Sequence, residues 1–448
     1  MEHLYTKKQL RDLLIPLIVE QVLLSLMGTV DTIMVSNVGD YAVSGVSLVD
    51  SINKLLIYLF ASIATGGVIL CSQYLGYGNQ KKANEAGGQV LMAAFFLAVI
   101  IMGLVIVFRN GILSLIFGTV EESVMQASRT YLLITAISYP FISVFNACSA
   151  IYRATGNSRL PMLVSAASNA LNIAGNAVLI FGFGMGVTGA AISTTGSVIF
   201  VGIVMLYFMR RPGLKIEIGK LTKLRPDLKQ MLWVLKIGIP TGVENSMFQL
   251  GKLAVQSTVS TLGTAAIASN AIVTALELMS STPSMGIYIA LITVAGTCIG
   301  AGRVDEAKYY IKRFTALGAI VLLIVTWGIY ALTLPISRMA GLTGETLEMT
   351  LQIMLMISIL KPFLWPLAFV PSNGMRAAGD GTFSMIVSTL SMWIVRVGIS
   401  TILCRFMGVG LIGIWIGYEL DWAVRSVANV LRFRSGKWTK HQVMQVEK

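Results

Sequence analysis

Histidine is nearly missing from this chain of 448 residues, which has only His3 and His441, one near each end. No histidine can therefore serve as a general base or metal ligand in the body of the protein. Cysteine is scarce too. Cys71, Cys148, Cys298 and Cys404 fall in or at the ends of apolar segments without a C-x-x-C spacing, which argues against a disulfide framework or a thiolate metal site. A phosphate-binding loop is also lacking: the nearest approach, "GLKIEIGKL" at Gly213, has the wrong glycine spacing and no closing Ser or Thr. The largest deficit is charge. Only 12% of residues are charged, against roughly 25% in a soluble protein. An enzyme has little to work with here, and no enzymatic activity, cofactor or resident metal is expected.

What fills the chain instead is apolar residues, 55% of the total, in runs that recur from end to end. Twelve runs are long enough to span a bilayer, the first at 12–36 and the last at 411–432. About 20 apolar residues are the spanning unit, and a helix satisfies its own backbone groups in lipid. The expected fold is therefore an all-α polytopic membrane protein. The basic-then-apolar N-terminus is read as the first span, because Glu20 interrupts it and no A-x-A site follows.

The net charge of +13 is a matter of topology. When loops are assigned alternately to two sides, one side collects Lys7, Lys8, Arg11, Lys81, Lys82, Arg303, Lys308, Lys312, Arg313 and the bases from Arg210 to Lys236. The other holds Arg109, Arg129, Arg338 and Arg405. This positive-inside bias places both termini in the cytoplasm and makes a nucleic-acid partner unnecessary.

The chain is duplicated. At an offset of 224, Pro16 matches Pro240, Glu20 matches Glu244, Gly39 matches Gly263 and Gly76 matches Gly300. "YRATGNSRLPMLVS" from Tyr152 is echoed by "MRAAGDGTFSMIVS" from Met375, and "GMGVTG" at Gly184 by "GVGLIG" at Gly408. The expected domains are a six-helix lobe at 1–209, a basic cytoplasmic linker at 210–232, a second six-helix lobe at 233–432 and a cytoplasmic tail at 433–448. An even number of spans per half gives both halves one orientation, related by a pseudo-two-fold axis along the membrane normal. Transporters built this way place the substrate path at the repeat interface.

The segments "MGTVDTIMVSNVG", "SQYLGYGNQKKA" with its echo "GTCIGAGRVDEA", "YRATGNSRLP" with "MRAAGD", and "NALNIAGNAVLIFGFGMGVTGAAISTT" closely resemble the multidrug and toxic compound extrusion (MATE) family. The resemblance implies two lobes in a V around a central cavity, in a bacterial plasma membrane. It implies export of small amphipathic, often cationic compounds in exchange for Na⁺ or H⁺, and the chain is expected to act as a monomer. A flippase for lipid-linked precursors is the alternative, although that would favour a more densely basic cavity than the mixed intramembrane charges seen here.

Acids inside spanning helices cost about 2.5–3.5 kcal/mol on insertion scales and tend to mark ion or substrate paths. Asp31 stands where the family's aspartate contributes to cation binding, and its 224-offset counterpart is Val255. Its expected neighbours are Asn172, Asn176 and Thr194, a set of oxygens able to take Na⁺ or a proton. Some family members have aspartate where Asn176 stands, so the ion stays open. Ordinary interhelical amide bonding is the other reading of the two asparagines.

Glu20 and Glu244 are read either as cavity or relay carboxylates or as acceptors for backbone groups freed near Pro16 and Pro240. Glu277 is a further intramembrane carboxylate, expected to form an ion pair with Lys252 on the preceding span. Asp50 and Lys54 are spaced to pair within one helix. Lys361 and Arg396 have no partner evident in the sequence; they are read as snorkelling from helix ends in preference to discriminating among cationic substrates.

Overall fold

The computed structural model describes residues 3–118, 120–219, 225–441 and 443–444, with the side chains of 26–29, 31–33 and 40 outside the described set. Each apolar run is helical. The first half holds α1 (Lys7–Ser36), α2 (Asp40–Gly76), α3 (Gln80–Phe117), α4 (Glu122–Ala136), α5 (Tyr139–Ala154), α6 (Arg159–Asn176) and α7 (Gly186–Met209). The second holds α8 (Leu228–Val259), α9 (Thr264–Gly300), α10 (Val304–Met339), α11 (Gly344–Ala377), α12 (Gly381–Leu390), α13 (Ser400–Arg405) and α14 (Leu411–Ser435). Among the described residues, eight helices are long and apolar enough to cross a membrane, nine when α4 and α5 count as one span.

Three expected spans are not simple α-helices. The span expected at 129–151 is α4 and α5, which meet at 48°. Pro140, in the first turn of α5, offers no N–H to continue the ladder from α4. The span at 383–404 passes from α12 through a π-helical stretch, Ser391–Ile399, into α13. A shorter π-helical stretch, Ala177–Gly182, extends α6. Such widened turns gather at functional sites, and each of these adjoins a polar cluster.

The chain forms two compact units, Lys8–Gly242 and Val243–Lys448 with Met1–Lys7. The division falls inside α8, not in the basic linker. Its cause is backbone packing. A Cβ on Gly238 would lie 2.6 Å from the main-chain oxygen of Ser62, and one on Gly66 would lie 2.7 Å from that of Val234. The first half of α8 thus lies against α2 with no side chain between them, the close approach that small residues permit. The linker follows: Gln89 Nε2 donates to Arg225 O at 3.0 Å, and Asp227 N–H donates to Gln89 Oε1 at 3.0 Å. Conversely, the segment before α1 belongs with the second unit, where the Tyr5 hydroxyl donates to Thr297 at 3.0 Å.

Gly238→Val should lower the thermal unfolding temperature of the purified protein. The insertion exceeds ordinary overpacking, which costs about 1–3 kcal/mol, because the obstacle is main chain. Gly328→Val, on α10 with nothing within 4 Å of a Cβ, should leave unfolding unchanged in the same measurement.

The duplication persists in the packing. A Cβ on Gly189 of α7 would meet Leu179, and its counterpart Gly413 of α14 would meet Leu403, the counterpart of Leu179. Each unit therefore closes its last two spans on the same contact.

Candidate functional site

In the N-terminal unit, Asn172 and Asn176 lie one turn apart on α6 and are fully or almost fully buried. Asn172 Nδ2 donates to Thr194 Oγ1 of α7 at 3.2 Å, and Asn176 Nδ2 donates to Asn172 Oδ1 at 3.3 Å. Ser193 Oγ donates to the main-chain oxygen of Asn172 at 2.8 Å. The helices approach this closely because Gly175 has no side chain; a Cβ there would be 2.4 Å from Ser193 Oγ. Three of the four expected coupling residues are thereby brought together. The fourth, Asp31, lies on α1, and its side chain is outside the described residues.

Beside this cluster is a cavity of about 20 Å³ lined by Asp50 and Ser47 of α2, Tyr131 of α4, Asn176 and Thr194. That volume suits one water-sized guest. Asp50 thus lines the cavity; among the described residues it makes no salt bridge with Lys54 within 4 Å, although the Lys54 charge still acts on it as the spacing suggested. A wider cleft of about 610 Å³ lies at the end of this unit where α1 stops and α7 starts. Its lining includes Asn37, Tyr41, Gln126 and Thr188 and carries no charge.

The two duplicated glutamates are held by the two duplicated arginine motifs. Glu20 accepts from Arg153 Nη2 at 2.7 Å within the first unit. Glu244 accepts from Arg376 Nη2 within the second, and from Ser388 Oγ at 2.8 Å. Among the described residues neither glutamate bonds a backbone group freed by its proline, and each is held by an arginine. Each braces the N-terminal helix of its unit against α5 or α11. The signal was in the sequence: Pro-x-x-x-Glu and Arg-Ala-x-Gly recur together, at offsets of 224 and 223.

Glu277 is also paired, but its partner is Lys361 on α11 rather than the expected Lys252. Lys361, wholly buried, places its ammonium 2.7 Å from Glu277 Oε1, 2.6 Å from Ser280 Oγ and 2.7 Å from Ser281 Oγ. Lys252 instead lays its Nζ over Phe248, one turn back on its own helix, at 4.9 Å. Lys361 is therefore no snorkelling side chain. Nor is Arg396, which lies 1% exposed in the second π-helical stretch, donating to Asp421. Asp421 also accepts from Arg425 at 2.8 Å and from Ser391. The i,i+4 spacing of Asp421 and Arg425 was the available clue to this network.

A family model, MatE, matches residues 16–178 and again 240–402, stretches that start 224 apart like the repeat itself. The chain belongs to the MatE family. It is a multi-pass membrane transporter. Curated relatives include a probable multidrug resistance protein NorM of Thermotoga maritima, 27% identical over 99% of this chain and 95% of that protein. Another, the probable multidrug resistance protein YoeA of Bacillus subtilis, is 28% identical over 97% and 94%. Among solved structures, a MOP superfamily transporter from Pyrococcus furiosus superposes with a TM-score of 0.88 at 20% identity, over 96% of this chain and 95% of that one. An outward-facing multidrug resistance MATE transporter gives 0.86 at 19% identity, with the same coverage. The fold is thus the two-lobe, twelve-span MATE fold.

The two lobes of this MATE protein are not chemically alike. At the 224 offset, Asn172 and Thr194 correspond to Arg396 and Tyr418. Asn172 bonds Thr194, and the Arg396 guanidinium lies 4.1 Å from the centroid of the Tyr418 ring. Ser197 corresponds to Asp421, the acid that holds Arg396. One contact between the last two spans of a lobe is thus neutral and beside a small cavity in the first lobe, and filled by a tethered cation in the second.

Proposed function

We propose that this protein exports small amphipathic or cationic organic compounds in exchange for H⁺ or Na⁺, with the ion bound in the N-terminal lobe. The observation that carries this is the ion-sized cavity on which Asp50, Asn176 and Thr194 converge. Amide, hydroxyl and carboxylate oxygens are the donor set for a hard monovalent cation, and a buried carboxylate serves equally for a proton. Asp31 lies on α1, the helix that supplies Val35 to this cavity, and the resemblance of its motif to the family's cation-binding aspartate makes it the second carboxylate to test. The corresponding place in the other lobe is occupied by Arg396, so a site built from this amide and hydroxyl set belongs to the N-terminal lobe. The printed names of the relatives, which call them probable multidrug resistance proteins, support drug-like substrates. Export then requires that ion and substrate differ in affinity between inward- and outward-open states. The distribution of basic residues supports cytoplasmic termini in a bacterial plasma membrane.

The test is efflux of ethidium from proteoliposomes under separately imposed Na⁺ and H⁺ gradients. One gradient should drive the wild type, and Asp31→Asn and Asp50→Asn should each reduce efflux to the rate seen without a gradient. Driven efflux that survives both substitutions would remove the N-terminal site. Efflux driven by neither gradient in the wild type would remove the antiport reading and direct attention to lipid-linked substrates.

A further inference from the structure

Glu419 of α14 is the one member of the C-terminal charge network that has been left without a role. It is 4% exposed, and neither carboxylate oxygen has a hydrogen-bond partner among the described residues. The groups around it are named quickly. Lys361 comes from α11, Glu277 from α9 and Arg396 from the π-helical stretch, and Tyr418, Asp421 and Arg425 lie on α14 itself. The stretch Gly381–Leu390 of α12 contributes no titratable side chain.

None of these cations is available to it. The three protons of the Lys361 ammonium already face four oxygens, namely Glu277 Oε1 and main-chain O, Ser280 Oγ and Ser281 Oγ. Arg425 is spent on Asp421 and on the main-chain oxygen of Ser388, at 3.1 Å. Arg396 gives Nη2 to Asp421, while its Nε is buried and has no partner. An ionised carboxylate without water or a partner costs several kcal/mol, whereas a neutral carboxyl left unbonded costs about 1–3 kcal/mol. The geometry of this conformation therefore accommodates the acid form of Glu419 and not the anion.

We propose that Glu419 is a second proton-binding site of this transporter, in the C-terminal lobe, whose proton is released when its carboxylate gains Arg396 as a partner. The two orphaned groups are complementary: one is a buried donor, the other a pair of buried acceptors. They lie on adjoining elements, α14 and a π-helical stretch, and a widened turn is a place where a helix can change register cheaply. Chemically the step is a simple ionisation. The carboxyl O–H bond breaks, the electron pair stays on Glu419, and the proton passes to water as the new ion pair forms. The inference rests on the transport reading for its purpose but not for its test.

That test is infrared spectroscopy of the purified full-length protein in lipid. At neutral pH the wild type should show the carbonyl stretch of a protonated carboxyl. Glu419→Gln should lose it, Glu277→Gln should keep it, and Glu419→Asp should retain it at a shifted frequency. The band should disappear as pH is raised, without any substrate present. A band absent from the wild type, or unchanged by Glu419→Gln, overturns the proposal, and so does one that persists at every pH at which the protein stays folded. In proteoliposomes, Glu419→Gln should lose the dependence of ethidium efflux on a pH gradient while ethidium exchange continues. If ethidium is not transported even by the wild type, the antiport reading fails while the infrared result still decides the proton site.

Discussion

Lys361→Met should cost the C-terminal lobe about 3–5 kcal/mol, the range for breaking a buried ion pair by removing one partner. The substitution leaves the Glu277 carboxylate, only 15% exposed, without its cation, and it strips Ser280 and Ser281 of the ammonium they face. The thioether fills much of the lysine's volume, so the loss is electrostatic and not a cavity effect. Adding Glu277→Gln should recover most of the stability, because the remaining amide can bond the two serine hydroxyls. Thermal or denaturant unfolding of the purified protein checks both variants. A silent single variant would mean that Glu277 has enough other support to stand alone. A double variant no better than the single would mean that the serine hydroxyls, not the charges, carry the stability.

The second large effect is expected at the duplicated braces. Glu244→Gln leaves the Arg376 guanidinium, 8% exposed, with only Asn373 and Ser384 as neutral partners, and should also cost about 3–5 kcal/mol. Glu20→Gln should cost less. Arg153 is 17% exposed, so its stranded charge can reach water, and exposed charges are worth little when unpaired. The reversed pair Glu244→Arg with Arg376→Glu should fold better than either single reversal. Function separates braces from relays. The glutamine variants should yield less folded protein, yet the protein that remains should keep gradient-driven ethidium efflux. Folded protein at normal yield with coupling abolished would restore the relay reading of Glu20 and Glu244.

How much of this could be read along the chain depends on what kind of interaction is involved. Spans, their helical form and the duplication are local or periodic features, written in apolar runs and in the 224 offset, and they recur in the structure as helices, most of which run several residues past the apolar run. The kink between α4 and α5 was signalled by Pro140 but hidden by an uninterrupted apolar stretch. α14 shows the opposite effect: Glu419, Asp421 and Arg425 interrupt its apolar run, yet the helix forms because Asp421 and Arg425 neutralise each other within it.

Of the candidate site, Asn172, Asn176 and Thr194 were legible because all three fall in one family-like motif, with the two asparagines on one helix face. The partners of the charged residues were not. Which of Lys252 and Lys361 reaches Glu277 depends on the rotation and depth of α8 and α11 against α9, quantities that no spacing along a single helix encodes. The same holds for Asp50: the i,i+4 spacing to Lys54 gave one of its neighbours, but not the cavity that it lines. The sequence alone therefore determined that this is a duplicated twelve-span membrane protein of the MATE kind with acids buried in its helices. Only the tertiary structure decided which acids are neutralised by arginine or lysine, because inside lipid a charge is set by the side chain that packs against it, and packing is not local.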